Sequence, residues 1–422
     1  MPLANATQQF GPIDSDRAPR LALASYLLAI GFFLCPASTW LLIPGVLSWS
    51  DAFLLAAVSV YFSGTTLLHK GLPIPISILL AISLLLIACL GSYVSYTQQI
   101  NPINCLKFVA SLFLIPVSVM WCTRGHRDLI DRALWFWLAG TCLSALIAVL
   151  SKYGVPISVL QDKSMVFGGR PSGLTYHPNV LSYTCALLIP VAIYFAATRK
   201  TTMVRYICIA AVILLVDGIF VSGSRATVIA AMVSGLAWLP NLLKPKVYRS
   251  ELFIIGVGAL LIAGMIFFIL LSDNPFQDST NVLSRLFGSL NDTQQSNDER
   301  TKVAHIAYAG FSASPIFGQG FEHLRRSHNG TLAVLHSSGL IGFVGILIWW
   351  GGMSFYWWQL RGQAMRRSQT QEVMLCKMFL AIALVEIVNG AFEPLLTDRN
   401  GYISIGLMLG LLLSPQFNRQ RR

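Results

Sequence analysis

Three short stretches of this 422-residue sequence gather side chains suited to handling an anion and a proton. The first reads Gly-Gly-Arg-Pro-Ser-Gly-Leu-Thr-Tyr-His-Pro-Asn and supplies Arg170 and His177. The second is Ser222-Gly223-Ser224-Arg225. The third is a long hydrophilic stretch with Arg285, Arg300, Arg325 and Arg326, closed by His328-Asn329. Arginine presents a planar fork of donors that matches phosphate oxygens two at a time, and it keeps its charge at any relevant pH. A histidine near neutral pH can take a proton from a sugar hydroxyl or donate a hydrogen bond to a phosphate. The pattern suits a phosphate-bearing partner.

Plainer roles fit the same residues. The arginines could meet ordinary anionic lipid headgroups or form ion pairs with Asp217, Glu393 or Asp398. His177 precedes Pro178, a pairing expected at the first turn of a helix. His328 could be an interfacial helix-start residue, and His336, two turns further on, a packing or hydrogen-bonding one. Arg225 stands out. Its turn between two apolar runs is too short for a solvated loop, and an ionisable group at that depth is a functional candidate by default.

The elements that must position these residues are membrane spans. Hydrophobic residues make up 55% of the chain and charged ones 11%, where a soluble domain carries about 25% charged. Apolar runs of roughly 20 residues recur from end to end, so lipid is the solvent for most of the chain. The expected fold is an all-α, polytopic helical bundle of about twelve spans, at approximately 21–47, 50–68, 73–95, 104–122, 130–152, 178–197, 203–221, 224–241, 251–272, 328–358, 372–392 and 401–414. The first contains Pro36 and Pro44 and reads as broken or re-entrant. Residues 1–422 form a single membrane domain on this reading, with a cytoplasmic N-terminal segment at 1–20, a long periplasmic loop at 273–327 and a cytoplasmic tail at 415–422. Residues 1–20 are polar and unlike a cleaved signal peptide.

Lys and Arg orient the bundle. With the N-terminus inside, most basic residues fall in short cytoplasmic connections, which predicts an even number of spans and both termini in the cytoplasm. The three arginine-bearing stretches then share the outer face, against the positive-inside trend. The net charge of +12 is absorbed by this orientation and does not argue for nucleic acid.

Cys35, Cys89, Cys105, Cys122, Cys142, Cys185, Cys208 and Cys376 show no metal-type spacing, and most lie in apolar runs, where Cys acts as a small hydrophobe. No Walker motif, Rossmann fingerprint, HExxH or CxxC occurs. Neither a metal nor a cofactor is expected. The longest hydrophilic stretch is too short for a nucleotide-sugar domain, so an enzyme of this kind draws its donor from the membrane.

The segment from Arg300 to Gly342 continues through Ser-Pro-Ile-Phe-Gly-Gln-Gly and His328-Asn329 to Ser-Gly-Leu-Ile-Gly. It resembles the signature region of the O-antigen ligase and O-antigen (polysaccharide) polymerase superfamily of bacterial inner-membrane proteins. Ser222-Gly223-Ser224-Arg225 resembles that family's other signature, and the stretch from Arg170 to Asn179 is similar to one common in it. The resemblance implies a metal-independent glycosyltransferase of the bacterial inner (plasma) membrane. Its donor would be a glycan on undecaprenyl diphosphate. In a ligase the acceptor is a lipid A-core sugar; in a polymerase it is another lipid-linked repeat. Carried over, Arg225 and Arg300 hold the diphosphate and His328 activates or positions the acceptor hydroxyl, with Arg170, His177, Asn329, Arg325 and Arg326 as further substrate-binding candidates. Gly330 departs from the bulkier residues common there, and the Arg325-Arg326 pair lies outside the recognised pattern. A transporter or flippase for a lipid-linked substrate would instead place charges along the midplane and repeat one half in the other. Glu386 and Lys377 are among the few charges inside the expected spans, and no such repeat is evident.

Overall fold

Apolar runs with turn residues at their ends become helices, and almost every described residue lies in one. The structure is a computed structural model that describes residues 17–38, 41–43, 47–63, 74–95, 109–124, 126–155, 166–167, 170–199, 201–235, 290–321, 329–366, 370–392 and 399–412. The N-terminal part holds α1 (Arg17–Phe33), α2 (Trp49–Ser63), α3 (Ile76–Ser95), α4 (Ala110–Thr123) and α5 (Arg127–Lys152). Then come α6 (Pro178–Thr198), α7 (Thr202–Ser222), α8 (Arg225–Gly235) and α9 (Leu290–Ala313). The chain continues with α10 (Gly330–Arg366), α11 (Thr370–Phe392) and α12 (Arg399–Leu412). Two small antiparallel hairpins interrupt this pattern: β1 (Leu41–Ile43) pairs with β2 (Leu47–Ser48), and β3 (Val166–Phe167) with β4 (Arg170–Pro171).

Six helices among the described residues are long and apolar enough to cross a membrane, namely α3, α5, α6, α7, α10 and α11. A 21-residue helix such as α6 or α7 rises about 31 Å, the thickness of a hydrocarbon core. The expected span at 251–272 and the tail at 415–422 lie outside the described residues. So do most of 1–20 and the first part of 273–327. Residues 290–313 of that hydrophilic stretch are helical rather than loop.

The first expected span is cut short. α1 stops at Phe33, the chain turns through Leu34–Pro36, and the β1–β2 hairpin follows. Pro36 lacks the N–H that would continue the helix, which is why the run to 47 is not one element. A five-residue π-helical turn, Ala110–Leu114, opens α4 ahead of Pro116, where a regular ladder would need the missing donor.

α6 is the central post, buried along nearly its whole length and packed against α7, α11 and α5. Partners remote in sequence pack as closely: α3 on α10, α4 on α12, and α8 on α11. α3 turns Ile76, Leu80, Leu90 and Val94 outward, an apolar face suited to lipid. At one end of the bundle Arg199 pairs with Asp131 at 2.9 Å, and Arg127 donates to the Tyr194 hydroxyl and to Gln371. That stitch ties the ends of α5, α6 and α11 together. The candidate site lies at the opposite ends of the same helices.

Candidate functional site

Ser222-Gly223-Ser224-Arg225 turns the chain through two residues. Gly223 closes α7 at φ 68°, a left-handed C-cap that a side chain would strain, and α8 begins at Arg225. Arg225 is therefore the first residue of a helix whose leading N–H groups have no acceptor within the helix, a setting that favours anions. Arg225 and Arg300, the latter the eleventh residue of α9, are both half-buried. They lie near enough for the Arg300 charge to act on Arg225 by Coulomb repulsion.

Arg170 has a different job. Its Nε donates to the carbonyl of Ser222 at 2.6 Å and its Nη2 to Asn179 Oδ1 at 2.6 Å. One guanidinium thus caps the C-terminal end of α7, where its charge meets the negative end of the helix dipole, and fastens that end to the first turn of α6. The segment behind it is docked on α5: Leu174 N–H donates to Ser144 Oγ at 3.0 Å, and a Cβ on Gly173 would overlap the Ser144 carbonyl. His177 is the N-cap of α6, its Nδ1 accepting from Asn179 N–H at 3.1 Å with Pro178 next in the helix. Asn329 likewise caps α10, Oδ1 accepting from Leu332 N–H at 3.1 Å. Arg170→Ala strips two acceptors of a charged donor. The expected cost is about 1–3 kcal/mol, read as a lower thermal midpoint of the purified protein; an unchanged midpoint would remove Arg170 from this staple.

Behind Arg225 runs a chain of buried hydroxyls. The Thr227 hydroxyl lies 3.0 Å from both Ser182 Oγ and Ser224 Oγ, and donates to Asn389 Oδ1 of α11 at 3.2 Å. Ser182 also donates to the Asn179 carbonyl at 2.9 Å, which links this chain to the Arg170 staple.

α9 is held by a device that hydropathy does not reveal. α10 is broken at Gly339 (φ 60°, ψ −162°), nine residues and about 14 Å from its start. The segment after α9 fills the break: Gln319 and Gly320 N–H donate to the carbonyls of His336 and Ser337, and Leu340 and Ile341 N–H donate to those of Pro315 and Ile316. Broken backbone at such depth persists only where protein groups satisfy it. The buried His336 ring is 3.1 Å from Gln319 Oε1, so its role is to lock the same junction.

The structure thus brings Arg170, His177, Arg225 and Arg300 into one neighbourhood, with Asn329 opening α10. His328, Arg325 and Arg326 lie outside the described residues. Thr227, Asn389 and the glycines of the junction escape sequence reading; the available signal for Asn389 is a polar amide within an apolar run.

Residues 210–347 match a family model described as O-Antigen ligase. This region is similar to the O-antigen ligase family. The O-antigen ligase region starts within α7 and takes in the Arg225 turn, α8, α9, the junction and the start of α10. It contains Arg225, Arg300 and His328, and leaves Arg170, His177 and Asn389 to flanking segments. No curated protein matches the chain.

Proposed function

We propose that this chain transfers a glycan from undecaprenyl diphosphate to an acceptor sugar, in the manner of an O-antigen ligase acting on lipid A-core. On this reading both termini are cytoplasmic and the transfer occurs at the periplasmic face of the bacterial inner membrane. The observation that carries the reading is Arg225 at the first residue of α8, inside the O-antigen ligase region that also contains Arg300 and His328. A guanidinium beside the free N–H groups of a helix start favours a phosphate-bearing ligand there.

The chemistry needs little else. The acceptor oxygen bonds to the anomeric carbon of the donor sugar while the bond from that carbon to the phosphate oxygen breaks. The leaving diphosphate keeps the electron pair, and the guanidiniums stabilise its growing charge. Attack on the face opposite the leaving group inverts the anomeric centre through an oxocarbenium-like state. His328 takes the proton of the acceptor hydroxyl. Holding both substrates in one membrane plane supplies orientation. The arginines carry the charge work in this metal-independent scheme.

The test is a glycan profile. In cells lacking the chain, or carrying His328→Ala at normal protein level, long glycans should stay on the polyprenyl carrier and be missing from lipid A. Accumulation of single carrier-linked repeats would instead assign a polymerase that extends lipid-linked repeats. An unchanged profile in both strains would sink the reading.

A further inference from the structure

Asn389 is fully buried on α11, where that helix packs against α6 and α8. Its Oδ1 accepts from Thr227, but its Nδ2 has no hydrogen-bond partner among the described residues. Thr227 has a single hydroxyl with three polar neighbours, Ser182, Ser224 and Asn389. It holds one proton and two lone pairs, enough to engage all three, so the Asn389 amide meets Thr227 through one end only. Such a group costs the fold stability, since an unsatisfied buried polar atom loses its hydration without replacement. A leucine would occupy a similar volume at no such cost, and Thr227 would keep two hydroxyl partners.

Thr227 lies in the first turn of α8, two residues after Arg225, so whatever fixes its hydroxyl also fixes the turn that presents the guanidinium. Violations of local packing rules concentrate at functional sites. We infer that Asn389 is a positioning residue for the Arg225 site, holding the first turn of α8 through the Thr227 hydroxyl in the orientation that receives a phosphoryl oxygen. The assignment rests on the diphosphate-binding reading above. It extends the working site beyond the O-antigen ligase region to α11.

The decisive variant is Asn389→Leu in the full-length protein, reconstituted in liposomes with a polyprenyl-diphosphate-linked glycan and acceptor. The expected kcat/KM falls roughly tenfold or more, the scale of one buried hydrogen bond, while the thermal midpoint holds or rises. Thr227→Val should lower activity similarly, and the double variant should lose little more than either single one, because both act through one contact. Activity and midpoint falling together in Asn389→Leu would make the amide merely structural and overturn the inference, as would unchanged activity. Arg225→Ala in the same assay separates the two levels. If it too remains active, the diphosphate reading has failed; if it is inactive while Asn389→Leu is not, only the role of Asn389 has.

Discussion

Arg225→Ala is expected to lower glycan transfer by about 10²–10³-fold, the cost of removing one preorganised donor from a developing oxyanion, with protein level and thermal midpoint near those of the parent. The site's chemistry sets this size. A diphosphate is already a good leaving group, so the protein's main contribution is fixed positive charge where negative charge grows. Arg225 stands at the start of α8, where the backbone N–H groups act in the same sense, and beside Arg300. Arg225→Lys keeps the charge and loses the planar fork, and should recover only part of the rate. Initial rates in proteoliposomes, with protein quantified by immunoblot, decide the matter. Full activity for Arg225→Ala would take it out of the site.

Gly339→Ala should have the largest effect on folding. The left-handed backbone there costs a non-glycine residue about 1–3 kcal/mol, and a Cβ would overlap the Ile316 carbonyl, a backbone group held on both sides by hydrogen bonds. Gly318→Ala meets the same obstacle from the facing strand of chain, at φ 73° against the backbone of Ser338. Both variants should show a lower thermal midpoint in detergent. Both should lose more transfer activity than their loss of folded protein explains, because the junction anchors the helix that bears Arg300. A Gly339→Ala protein with the parental midpoint would show that the break in α10 is not held as described.

How much of this was legible in the sequence depends on whether hydropathy or backbone angle carried the information. Apolar runs located α3, α5, α6, α7 and α11 to within a few residues, because helix length is tied to bilayer thickness. His177 before Pro178 pointed to the cap that is found. The Ser222–Arg225 turn was readable because two residues between apolar runs leave the chain no other geometry. The break at Gly339 was not. Ser338-Gly339-Leu340-Ile341-Gly342 sits inside an apolar run, and nothing in hydropathy reports a positive φ. Its partners lie some twenty residues earlier in a segment that reads as loop. The partners of Arg170 were hidden for a related reason: only the fold brings the Ser222 carbonyl and the Asn179 amide oxygen within its reach.

The junction at Gly318 and Gly339 turns α9 into a ruler. From Arg300 to Ala313 the chain is helix, and just beyond it the backbone is pinned to α10 on both edges of the break. Arg300 therefore meets Arg225 at a height and angle set by a number of residues, not by any one contact. One residue added to or removed from this interval would swing Arg300 by about 100° and shift it by about 1.5 Å, even if every side chain in it were kept. Drift in the identity of the residues along α9 is tolerable in this architecture; drift in their number is not.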